Sequence, residues 1–148
     1  MLINDKNYQL TPNVKKVSDC LNAIKLKHFA TGPNSINLGI NEGDYFVDIM
    51  IMENKKLNRI SYYSKLQNLA FEEEMKGAVQ DVISDINNTI SYGHISLNST
   101  ELGRCYALYK CYSSPDNITE SEIKFNLRAC NYMVHQYFDD FAYMGINA

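Results

Sequence analysis

Between residues 36 and 64 the apolar residues of this chain follow an alternating rhythm, and the turns inside that stretch are too short to hold a crossover. Ile36, Leu38 and Ile40 alternate with Asn37, Gly39 and Asn41, the period of a half-buried strand. Asn41-Glu42-Gly43-Asp44 has hairpin chemistry. Tyr45 to Met52 follows as a nearly continuous apolar run, broken at Asp48, and reads as a central strand buried on both faces. Glu53-Asn54-Lys55-Lys56 turns the chain again into a third strand, Leu57 to Ser64. Parallel strands need a connection of roughly a dozen residues or more, so these three must form an antiparallel meander.

Helical spacing flanks the meander. Thr11-Pro12 supplies an N-cap and a first helical residue, and Val14, Val17, Leu21, Ile24 and His28/Phe29 then form one stripe, ended by Thr31 to Ser35. Met75, Val79, Val82/Ile83, Ile86 and Ile90 predict a second helix, with Glu72 to Glu74 where carboxylates suit the helix dipole. After Gly93, His94 to Asn98 and Arg104 to Tyr112 read as two more strands, joined by a loop from Ser99 to Gly103. Thr119-Glu120-Ser121-Glu122 fits a capping box, with Ile118 and Ile123 placed for a hydrophobic staple. Ile123, Leu127, Cys130, Val134, Tyr137/Phe138 and Phe141 continue that helix, and Gly145 closes it. The expected fold is α+β in the order α-β-β-β-α-β-β-α, an antiparallel sheet covered by helices. With 148 residues and no linker or repeat, a single domain over 1–148 is expected, 1–10 being an extended lead-in.

Charge and motifs exclude several functions. The formal net charge is −3, which argues against a nucleic-acid binder that must displace counterions with a basic face. No apolar run approaches the roughly 20 residues of a membrane span. The first residues lack the basic start and apolar stretch of a signal peptide, and Cys20, Cys105, Cys111 and Cys130 form no C-x-x-C pair. Free thiols without a leader predict a cytoplasmic protein. Phosphate loops, H-E-x-x-H, EF-hand loops and nucleophile elbows are all missing, so no cofactor, metal or catalytic residue is assigned. His135 and Asp139 stand four apart on the last helix, which could set two metal ligands side by side but supplies no third. Cys105 or Cys111 meeting a histidine across the sheet is the one route to nucleophilic chemistry, against the plainer reading of inert core thiols.

The aromatics carry more. Tyr106, Leu108 and Tyr112 share one face of their strand, with Lys110 among them. A sheet with helices on one side leaves the other face free for a partner, and tyrosine suits that role because it buries area while keeping a polar tip. These three residues are the candidate partner interface.

The element order resembles the fold of type III secretion chaperones. Val82-Ile83-Ser84-Asp85-Ile86-Asn87-Asn88, followed by Tyr92-Gly93-His94-Ile95-Ser96-Leu97, is similar to the YbjN-type proteins. These are a bacterial family, named as candidate sensory transduction regulators, with the same chaperone-like fold. Asn117 to Ile123 and Tyr137-Phe138-Asp139-Asp140-Phe141 also resemble that family's last helix. The resemblance spans roughly residues 36 to 143, and the absence of Trp departs from it. It implies a non-enzymatic bacterial protein-binding module, chaperone-like or regulatory, that works as a homodimer. Its expected partner is a protein or client, an extended segment included. An immunity-type protein binding one folded partner, or a small cytosolic enzyme with a Cys/His site, are the alternatives.

Overall fold

The computed structural model describes residues 8–42, 45–66, 70–99 and 103–146. Helix α1 (Pro12–Ala23) precedes strands β1 (Phe29–Gly32), β2 (Ser35–Glu42), β3 (Tyr45–Asn54) and β4 (Arg59–Lys65). A 3-10 turn (Glu73–Met75) leads into α2 (Lys76–Asn87), followed by β5 (His94–Ser99), β6 (Cys105–Ser113), a second 3-10 turn (Pro115–Asn117) and α3 (Glu120–Ile146). The six strands form one antiparallel sheet in the order β1-β2-β3-β4-β6-β5. The expected meander is β2-β3-β4, held in register by Ile36 opposite Ile51, Leu38 opposite Ile49 and Tyr62 opposite Ile51. The hairpin residues 43–44, most of the 99–103 loop and residues 1–7 of the lead-in lie outside the described residues.

The α+β class and antiparallel sheet are as expected, with one strand more. Helix α1 ends six residues before the stripe does. Lys25 takes a left-handed conformation at φ 61°. Its N–H bonds to the Asn22 carbonyl at 3.0 Å, and the Leu26 N–H to the Leu21 carbonyl at 2.9 Å. This is a Schellman ending built on lysine where glycine is usual, so it leaves no sequence signal. His28 then fixes the exit. Its Nδ1–H donates to the Leu26 carbonyl at 2.9 Å, which leaves Nε2 to accept from the Ser18 hydroxyl at 2.7 Å. Phe29, expected to continue the helix stripe, starts β1 instead. Smaller shifts have similar local causes. Leu57 lies in the turn, its N–H held by the Asn54 side chain at 3.1 Å, and β4 begins two residues later. Ile90 follows α2, and α3 runs through Gly145 to Ile146.

All three helices pack on one face of the sheet. Val14, Val17 and Leu21 from α1, Val79, Ile83 and Ile86 from α2, and Ile123, Leu127, Cys130, Val134 and Phe141 from α3 are buried there. The sheet meets them with alternate residues, among them Ile36, Leu38, Val47, Ile49, Ile51, Tyr62, Ala107 and Tyr109. Burying an apolar side chain contributes roughly 1.5–3 kcal/mol, so this layer carries the stability. Strand β3 is therefore buried on one face only, contrary to its reading as doubly buried. Val47, Ile49 and Ile51 face the helices, while Phe46, 63% exposed, Asp48, Met50 and Met52 face away. The run looks continuous because its outward face is also apolar.

Candidate functional site

The face of the sheet turned away from the helices is the candidate site. Strands β4 and β6 lie side by side, with Ser61 opposite Tyr112, Tyr63 opposite Lys110 and Lys65 opposite Leu108. Strand period sends Arg59, Tyr63 and Lys65 outward with Tyr106, Leu108, Lys110 and Tyr112, because Ile60, Tyr62, Cys105, Ala107, Tyr109 and Cys111 point into the core. All three sequence candidates, Tyr106, Leu108 and Tyr112, stand half-buried on this face.

Each tyrosine of the face is paired with a cation. Arg59 lies 4.3 Å from the centre of the Tyr112 ring, Lys65 4.2 Å from that of Tyr106, and Lys110 5.5 Å from that of Tyr63. A cation over an aromatic face is worth about 0.5–1 kcal/mol at exposed sites, enough to orient these side chains. Among the described residues none of the three cations pairs with a carboxylate. Their field is felt by His94, opposite Lys110 on β5 and 5.8 Å from the Tyr112 ring. Partial burial, then Lys110 and Arg59, hold its imidazole below the ordinary value. Sequence reasoning missed Arg59, Tyr63 and Lys65. Their signal was the alternation Arg59-x-Ser61-x-Tyr63-x-Lys65, hidden by the stronger apolar signal of Ile60 and Tyr62.

The edges of the sheet are less open than the face. The Asn87 amide accepts from the Ile95 N–H at 2.7 Å and donates to the Ile95 carbonyl at 2.9 Å. It occupies the outward backbone of β5 as a neighbouring strand would. The other edge strand, β1, is four residues long and irregular in register.

The remaining candidates are engaged elsewhere. Tyr45 gathers the C-terminal part of α3. Its hydroxyl donates to Asp139 at 2.7 Å, and its ring lies 5.2 Å from His135 and 4.7 Å from Phe138. Among the described residues no three of His, Cys, Asp and Glu converge as metal ligands. Cys105 and Cys111 point to the helices while His94 points the other way, so the sheet itself separates them. The Cys111 thiol is pushed up by the hydrogen bond with Cys130 and by burial, the opposite of an activated nucleophile. A cleft of about 230 Å³ beside α3 is lined by Tyr92, Tyr109, Tyr132 and Tyr137. Burial pushes the Tyr92 hydroxyl up to about 12 and that of Tyr109 higher still. Both donate structural bonds, Tyr109 to the Tyr92 carbonyl at 2.6 Å and Tyr92 to Asn126 at 2.6 Å. Neither is poised for proton transfer near neutral pH.

No family model matches the sequence, and no curated protein is similar to it. The fold, however, is similar to a solved one. The crystal structure of YbjN from E. coli, described as a candidate transcription regulator, matches with a TM-score of 0.66 over 86% of this chain and 89% of that one. Sequence identity is 13%, so the likeness is one of fold. Among the described residues no helix is long and apolar enough to cross a membrane.

Proposed function

We propose that this chain is a non-enzymatic protein-binding module of regulatory or chaperone type, working through the helix-free face of its sheet. The observation that carries the reading is the pairing of apolar and aromatic side chains with unneutralised cations on a face that no described helix covers. Half-buried Met50, Met52 and Leu108 give that face apolar contact area, and methionine adapts to irregular partners. The fold likeness to a candidate transcription regulator supports regulation over catalysis. Recognition by the face is favoured over strand addition, because Asn87 occupies part of the longer edge.

Self-association belongs to the same reading. Phe125, 50% exposed, and Tyr132, 62% exposed, stand two turns apart on α3 and offer a second copy an apolar stripe away from the sheet face.

Leu108→Asp and Lys16→Ala test the face together. Each variant is used as bait in a lysate of the native source, after melts show that both remain folded. A protein retained by the wild type and by Lys16→Ala, on the far side of the molecule, should be lost with Leu108→Asp. Retention by all three, or loss from both variants, counts against the assignment.

A further inference from the structure

We propose that the open face takes an acidic segment of a partner protein, with apolar side chains set among its carboxylates. This rests on the reading of the face as a protein-binding surface. The outward cations of β4 and β6 are Arg59, Lys65 and Lys110, and none has a carboxylate partner among the described residues. Arg59 and Lys65 are six residues apart on β4, about 20 Å at strand spacing, with Lys110 of β6 between their levels. The cations thus form a row the length of a short peptide. Asp48, the outward acid of β3, follows in register after Ile49, which pairs with Ser64, so it flanks Lys65 at one end of the row, with no ion pair between the two among the described residues.

A net charge of −3 with this local row favours sparse carboxylates over a dense polyanion. A nucleic acid brings a phosphate every few ångströms and would be repelled by the rest of the molecule. Single-stranded nucleic acid stacks its bases on aromatic faces. Here Tyr63, Tyr106 and Tyr112 each already have a cation over the ring. A carboxylate can meet those cations from above without displacing them from the rings. Apolar side chains of the segment would settle between, on Met50, Met52 and Leu108.

The test uses the full chain and a synthetic peptide rich in Asp, Glu, Leu and Phe, followed by calorimetry and amide NMR. Its controls are the same peptide with Asn and Gln replacing the acids, and a single-stranded oligothymidylate. The acidic peptide should bind and shift the amides of Tyr63, Leu108 and Lys110. The double variant Lys65→Gln/Lys110→Gln should melt like the wild type and bind roughly tenfold or more weakly. Binding should also weaken as salt rises from about 0.05 to about 0.5 M, where screening shortens to a few ångströms. No binding, equal binding of the neutral peptide, or tighter binding of the oligothymidylate overturns the proposal. If Leu108→Asp loses the native partner while Lys65→Gln/Lys110→Gln keeps it, the face reading survives and the acidic assignment falls.

Discussion

Two single residues show how polar groups govern this small molecule. Glu53 is 7% exposed, and its carboxylate sits at the start of α1, accepting from the Thr11 hydroxyl at 2.6 Å and the Asn13 amide at 2.8 Å. Thr11 also caps the helix, its oxygen accepting from the Val14 N–H at 3.4 Å. A buried anion at a helix N-terminus is well placed against the dipole. Glu53→Ala should cost about 1–3 kcal/mol, since it removes two hydrogen bonds that half-buried donors make to a carboxylate. Thr11→Ala should cost about 1 kcal/mol, and the two changes together less than their sum, because they share one bond. Thermal melts of the three variants check this, and strict additivity would refute the shared role. His94 gives a pH dependence. Its folded value lies below the ordinary one through partial burial, Lys110 and Arg59, with Tyr112 as its ring neighbour. The folded state therefore holds fewer protons than the unfolded state as pH falls through about 6.5. The stability tied to His94 is present above that pH and is lost as pH falls further through the folded value. Melts at stepped pH should show this decline, and His94→Gln should flatten part of it; an unchanged slope would remove His94 from the account.

At the scale of elements, α3 was the most legible. Thr119 caps it as expected, accepting from the Glu122 N–H at 3.1 Å. The box does not close, because the Glu122 carboxylate faces Asn117 and Asn126, each at 3.5 Å. Along its stripe the burial is uneven. Phe141 is fully buried, 6.1 Å from Phe71 between ring centres, whereas Phe138 is half-buried against Tyr45. Phe141→Ala should then cost about 3–5 kcal/mol, with Phe138→Ala clearly less. Denaturant melts decide it, and equal losses would mean that helix rotation, not depth, sets the contribution. The boundaries of the five expected strands were legible to within a residue or two, because period-two patterns are strong where one face is packed; β1, with no packed face, was not. Helix α1 was misread at its end for a definite reason. Lysine at a left-handed position carries no signal, and Phe29 happens to continue the helical spacing while serving a strand.

For the whole molecule, the three helices lie on one side of the sheet, so strands β2 to β6 each have one face in the core and one outside it, while β1 buries no residue. The exposed Phe125 and Tyr132 of α3 form a separate surface, and we expect light scattering to give about twice the 17.0 kDa chain mass. Phe125→Ser/Tyr132→Ser should return the chain to monomer without a change in far-ultraviolet dichroism. A wild-type monomer at all micromolar concentrations would refute the dimer. The amino-acid sequence by itself determined the class of fold, the antiparallel meander, the cap of the last helix and the outward trio Tyr106, Leu108 and Tyr112. Those features are local, set by residue period, turn chemistry and capping within a few positions of one another. Only the tertiary structure decided which face of β3 is buried, and that Arg59, Lys65 and Lys110 stand over tyrosines of a neighbouring strand. It alone put the Asn87 amide on the edge of β5. Strand pairing joins residues as much as about fifty positions apart in the chain, and a period seen along one strand does not say which distant strand lies beside it.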